Sequence, residues 1–364
     1  MHPAAAAEYP GPDRLGRIYL DTAGYGLPPA ATVAVLHTAL DSWAAGSADW
    51  VADWDGAGDR CRELVAPMLG VPAAEVSLQP AVSVAAAIAV TSLPPGGEIV
   101  IARDEFASVL LPALAAARQR GATVRRVEFG ALADSLSGRT ALVVSSHVRS
   151  NDGRTQDLAA LGSAAARVGA RVLVDATHSA GILPVDAARH GIHYVVAAAY
   201  KHLLCPRGVA FLRVPPGEFA RTLPIAGSWR AAREPYNYFY GPQLSDLAPT
   251  AARYDVSLAW HAWLGAAESL AFLRAIPAQA RRDWCTGLAD ELAGRLGTPP
   301  AGSSIVALPV RDAAAARAAL RGAGITASGK DATLRLSFHL YNDTDHVAAA
   351  ARLLDRHVIR RERP

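Results

Sequence analysis

Short apolar runs recur through the middle of the chain, at residues 98–102, 123–127, 141–145, 171–174, 194–198 and 209–214. Polar turns bound them, and Ala/Leu-rich stretches of 3.6-residue periodicity follow at about 109–120 and 158–168. Apolar strands alternating with amphipathic helices predict an α/β domain built on a mostly parallel sheet. After Pro215 the texture changes. Residues 224–249 are crowded with Pro and aromatic side chains and show little periodicity, which predicts a long loop of the kind that carries function. Helical patterns resume from Tyr254 to Ala275 and over 283–296, and strand-like runs follow at 304–309 and 333–338. These predict a smaller C-terminal α/β domain, with the division placed at 15–235 and 236–364. The Ala-rich tract 312–320 reads as a helix, and no internal repeat is visible.

Length supports two domains, since 364 residues and 38.0 kDa exceed what a single core usually fills. Hydrophobic residues at 51% and charged residues at 19% mark a globular chain. A formal charge of +3 is too small to argue for nucleic acid, and the basic run 356–363 reads as a solvated helix end. Cys61, Cys205 and Cys285 have no metal-ligand spacing and leave an odd thiol, which points to a reducing, cytoplasmic compartment. His178, His190, His193 and His202 are spaced too irregularly for zinc, so no metal is expected. Residues 1–13 lack the pattern of a secretion signal, and the longest apolar run, 81–93, is too short to span a bilayer. No membrane role is expected.

The chemistry concentrates on two strand ends. The run Val172-Leu173-Val174 closes on Asp175, and Lys201 follows 26 positions later in Ala198-Ala199-Tyr200-Lys201-His202. In an open α/β sheet the carboxyl ends of strands meet at one crevice. A carboxylate there can hold a protonated pyridine nitrogen and a lysine can form an imine, the two protein groups that pyridoxal phosphate (PLP) chemistry needs most. Alone, the pair would be read as a helix-capping Asp and a surface Lys.

Five segments, in order, make the chain resemble the class V aminotransferase family over nearly its whole length. They are 18–23, Gln79-Pro80-Ala81-Val82-Ser83, Asp104-Glu105-Phe106-Ala107-Ser108, Asp175-Ala176-Thr177-His178, and the run 334–342 around Arg335. The resemblance implies a PLP-dependent transferase fold of type I, the aspartate aminotransferase-like fold. It implies that Lys201 holds the cofactor as a Schiff base and that Asp175 faces the pyridine nitrogen. Ala81, Val82 and Ser83 would cradle the phosphate at a helix start. Phe106 would stack on the cofactor, His178 would meet its phenolic oxygen, and Tyr200 would replace at the phosphate the imidazole of the desulfurases. Arg335 would grip the substrate α-carboxylate as a fork. Either Ser150 or Asn151 would touch cofactor and carboxylate, and residues 1–30, with Tyr25, would border the substrate. The family's sites lie between two subunits, so a homodimer is implied, with Gly227 and Ser228 reaching the partner's phosphate.

Within that family, the desulfurases carry a persulfide-forming cysteine shortly before the carboxylate-binding Arg. Here that stretch, 324–331, contains no cysteine. The runs 174–186 and 197–208 are similar instead to the PLP-dependent carbon–sulfur lyases of ergothioneine biosynthesis, which cleave hercynylcysteine sulfoxide. The expectation is a β-lyase acting on a small-molecule cysteine conjugate, with a class V aminotransferase as the alternative. Two aromatic, partly acidic surfaces suit a trimethylammonium group or a subunit interface equally: 229–240, and Trp50 and Trp54 with Asp49, Asp53 and Asp55. Arg230, Arg233, Tyr25 and His37 are unranked candidates for assisting the leaving group.

Overall fold

The computed structural model describes residues 1–9 and 17–359. The predicted boundary at residue 15 and the end of the basic run, 360–363, lie outside the described residues. The strands are β1 (Ile18–Tyr19), β2 (Val76–Gln79), β3 (Glu98–Ala102), β4 (Thr123–Val127), β5 (Thr140–Ser146), β6 (Arg171–Asp175), β7 (Tyr194–Ala198), β8 (Ala210–Arg213), β9 (Ile305–Pro309), β10 (Ile325–Thr326), β11 (Ser328–Lys330) and β12 (Thr333–Ser337). The helices are α1 (Ala30–Ala45), α2 (Ala57–Leu69), α3 (Val82–Ala89), α4 (Ala107–Arg120), α5 (Leu158–Val168), α6 (Trp260–Ala275), α7 (Ala278–Arg295), α8 (Ala313–Gly322) and α9 (Thr344–Leu354).

Seven strands form one sheet in the order β2-β8-β7-β6-β5-β3-β4. The five from β7 to β4 run parallel, β8 runs antiparallel beside β7, and the edge strand β2 runs antiparallel to β8. Every residue of β3 and β7 is buried, as strands covered by helices on both faces must be. The helices obey local signals: Asp157 caps α5 by accepting from Ala160 N at 2.9 Å, and Gly169, at φ 72°, ends it.

The helix expected from Tyr254 begins instead at Trp260. Asp255, fully buried, accepts hydrogen bonds from Leu78 N (2.9 Å), Ser77 Oγ (3.0 Å) and Arg62 Nη2 (2.6 Å). Those bonds tie the chain to β2, and a buried carboxylate is too costly to leave unpaired for a helix to start there.

β9, β12 and β11 form a second, antiparallel sheet whose core, including Leu288, Leu292, Leu334, Leu336 and Val347, is closed by α7, α8 and α9. The N-terminal segment joins this unit. β1 pairs with β10, and Asp21 forms a parallel bridge with Ser337, so residues 18–21 lie beside the strand that carries Arg335. Among the described residues, no helix is long and apolar enough to cross a membrane.

Candidate active site

Asp175 is the last residue of β6, and Lys201 lies three positions beyond the end of the neighbouring β7. The turn between them is fixed from both sides. Thr177 N donates to Asp175 Oδ1 at 2.8 Å, and Thr177 Oγ1 accepts from Ala198 N at 3.0 Å. On the other flank Gly26 N donates to Tyr200 O at 2.9 Å. A Cβ on Gly26 would come within 2.2 Å of Lys201 O and 2.7 Å of Leu204 Cδ2, and backbone cannot yield as a side chain does. Gly26→Ala is therefore expected to displace the lysine loop and cost roughly 1–3 kcal/mol. Urea unfolding of the variant reads this; a midpoint equal to the parent's would mean the loop accommodates the methyl freely.

The cleft is low in dielectric, and that shapes its charges. Burial pushes the Asp175 carboxyl up to about 6, Thr177 and Lys201 working against it. Burial likewise brings the Lys201 ammonium down to about 8, against the pull of Asp175. Lys201 Nζ sits 3.2 Å from His178 Nε2 and 5.3 Å from the centroid of the Phe106 ring. His178 is held well below its ordinary range, first by burial and then by Lys201, so it is a neutral imidazole, and its Nδ1 has no partner in the fold.

A cavity of about 160 Å³ gathers Ala81, Val82, Ser83, Phe106, Ser150, Asp175, His178, Tyr200 and Lys201. No side chain caps α3 at Ala81, so the first amides of that helix are left for a ligand. A wider cavity of about 700 Å³ shares Phe106 and Ser150 with the first and adds Arg149, Asn151, Ser328, Lys330 and Arg335. Arg335 Nε donates to Ser328 Oγ (3.1 Å), and Nη1 to Ser150 O (2.8 Å) and Oγ (3.0 Å). Nη2 lies 3.5 Å from Asp21 Oδ1. Of the two residues left open by sequence, Ser150 borders both cavities; Asn151 lines only the outer one, its Nδ2 donating to Asp104 Oδ2 at 3.1 Å.

Six of the expected or candidate residues line neither cavity. Tyr25 is 55% exposed, its ring against Tyr19 and its carbonyl accepting from the Tyr19 hydroxyl. Gly227 and Ser228 belong to another region, where Ser228 N donates to Asp255 O. Arg230, Arg233 and His37 line neither cavity. The two aromatic surfaces expected separately form one cluster in which Trp50 stacks on Trp260 at 4.8 Å and lies 5.9 Å from Trp229. Asp55 at its centre is spent internally, paired with Arg230 and accepting from Tyr236 Oη and Trp260 Nε1.

Sequence reasoning passed over Thr177, Ser146, Arg207 and Ser328, which line the same cavities. It also passed over a plain signal: the chain has two lysines, Lys201 and Lys330, among 36 basic residues, and both border the site.

A doubly covered α/β sheet with an Asp and a Lys converging at adjacent strand ends defines a PLP-dependent enzyme of fold type I. The sequence profile of the class-V aminotransferases matches residues 18–308, and the chain belongs to that family. It is 30% identical to a kynureninase of Pseudomonas fluorescens over 55% of this chain and 52% of that protein. To a probable cysteine desulfurase of Methanothermobacter thermautotrophicus it is 34% identical over 32% of this chain and 31% of the other. The matched stretches span about half the length of the first of these curated relatives, so their activities do not transfer as such. In fold it is similar to the cysteine desulfurase CsdA of Escherichia coli (TM-score 0.81, 20% identity, 98% of both chains). It is also similar to the cystine C-S lyase C-DES (TM-score 0.83, 22% identity, 94% of this chain and 99% of the other).

The cofactor is pyridoxal 5′-phosphate, and the site suits it on its own terms. A buried carboxylate awaits a cation, a buried lysine is easily deprotonated, His178 Nδ1 is unpartnered, and the uncapped start of α3 lines the cavity.

Proposed function

We propose that this chain is a PLP-dependent carbon–sulfur β-lyase acting on a cysteine conjugate, with hercynylcysteine sulfoxide as the substrate that its sequence resemblance favours. The observation that carries the reading is the lack of a thiol able to accept sulfur. The segment before Arg335 is the β10–β11 region with no cysteine, and Cys61, Cys205 and Cys285 are all buried, with burial pushing each thiol up. A persulfide-transferring desulfurase needs such a thiol exposed.

Bound in the cleft, the cofactor supplies an electron-withdrawing ring that stabilises negative charge at the substrate α-carbon. Lys201 would hold it, with Asp175 at the pyridine nitrogen, His178 at the phenolic oxygen, Phe106 against the ring, and Ser83 with the first amides of α3 at the phosphate. Arg335, its plane held by Ser150 and Ser328, takes the substrate α-carboxylate. Lys201 Nζ, neutral above about pH 8, accepts the proton leaving the α-carbon. The Cβ–S bond then breaks with its electron pair going to sulfur, and water takes the remaining three-carbon fragment to pyruvate and ammonia. From a sulfoxide the sulfur leaves as a sulfenate, which two equivalents of an external thiol would reduce to ergothioneine, becoming a disulfide and releasing water. The outer cavity of about 700 Å³ leaves room for a leaving group far larger than hydrogen sulfide. The reading includes a homodimer, in which Gly227 and Ser228, which line neither cavity of their own chain, complete the site of a second copy.

Pyruvate and ammonia release by the PLP-loaded protein should be compared on hercynylcysteine sulfoxide, cystathionine and cysteine. Rapid release from the sulfoxide is expected. Activity on another conjugate alone would keep the lyase and discard that substrate, and amino transfer to a keto acid without pyruvate would replace the lyase by an aminotransferase.

A further inference from the structure

The inner cavity is short of positive charge for a phosphorylated ligand. Its lining contains two cationic side chains, Lys201 and Arg207. Lys201 lies against His178, across from Asp175. A phosphate monoester carries about −1.5 to −2 at neutral pH, and the amino end of a helix offsets only about half a charge. Ser83 and Tyr200, the other groups at that end, are neutral. Without a further cation the dianion would be buried under-compensated.

Arg207 is placed to supply it. Pro206 precedes it and Gly208, at φ 99°, follows, so the chain turns sharply before entering β8 and leaves the arginine at the cavity rim. Its Cζ lies 5.0 Å from the centroid of the Tyr200 ring, so the guanidinium rests on the phenol. Arg207 forms no salt bridge with any described residue. Its charge nevertheless reaches the Lys201 amine, whose proton affinity it lowers.

We propose that Arg207 is a ligand of the cofactor phosphate, stacked on Tyr200 and acting with the amino end of α3. The proposal rests on the cofactor-site reading of the cavity and is independent of which bond the enzyme cleaves. The test compares two probes, PLP and pyridoxal, which lacks the phosphate, titrated into cofactor-free protein and followed by the absorbance of the lysine adduct. Arg207→Gln is expected to weaken PLP roughly 10- to 100-fold, the range for a hydrogen bond to a charged group, and to leave pyridoxal within about twofold. Arg207→Lys should recover much of the difference, and raising salt should weaken PLP in the parent more than in Arg207→Gln. Equal losses for both probes would make Arg207 a packing residue, and an unchanged preference for PLP would make it a solvent-facing arginine; either overturns the proposal. Failure of the parent protein to form an adduct with either probe would instead overturn the assignment of Lys201 and the site with it.

Discussion

Lys201→Ala is expected to give a folded protein that loses pyridoxal phosphate on dialysis and turns over at less than about a thousandth of the parent rate, since both covalent catalysis and the proton carrier go at once. The chain makes this unusually clean. Lys330 is the one other lysine, and it sits at the far end of β11 in the outer cavity, not beside Asp175. Lys330 is exposed, whereas Lys201 is buried. Borohydride treatment of the loaded parent followed by peptide mass analysis should place the label on residue 201, and the variant should carry none. A label on Lys330 in the parent would move the chemistry to the cavity mouth.

Asp175→Asn has the second large effect, and it has two opposite signs. Cofactor retention and turnover should fall at least about a hundredfold, because a neutral amide cannot hold a pyridinium as a carboxylate does. The cofactor-free fold should instead become more stable near pH 7. Burial raises Asp175 from its ordinary value of 3.8 to about 6, so the folded state binds this proton more tightly than the unfolded chain. A group raised in this way favours folding fully below about pH 4, and the benefit is lost as pH climbs through 6. By pH 7 the penalty approaches roughly 3 kcal/mol, which the amide removes while still accepting the Thr177 hydrogen bond. Denaturant midpoints of the cofactor-free parent should drop from pH 4 to pH 7 more steeply than those of the variant. Parallel curves would mean that Asp175 is solvated.

Much of this was legible before any coordinates. The strands ending at Asp175 and preceding Lys201 are apolar at every inner position, so pattern alone placed them, and the 26-residue spacing then put both groups at one edge of the sheet. β2 was missed because it reads Val-Ser-Leu-Gln. Its polar residues are buried all the same, since Ser77 and Gln79 bond to Asp255 and to Tyr254 O from a distant segment. Ser150 could not be separated from Asn151, because a turn of backbone decides which side chain meets Arg335. Asp21 and Ser328 reach Arg335 through strand pairings that join the two ends of the chain, and no local signal announces that.

The pairing of β1 with β10 also sets an order of assembly. Ile18 and its partner Ile325 stand some three hundred positions apart, and Ile18 is made first. Contacts of such sequence separation are paid for late, after long loops have closed. The large sheet with Lys201 can therefore form while Arg335 is still unmade, and the proposed carboxylate grip would be completed after it. A nascent chain would thus present Asp175 and Lys201 before the residue proposed to hold the substrate carboxylate.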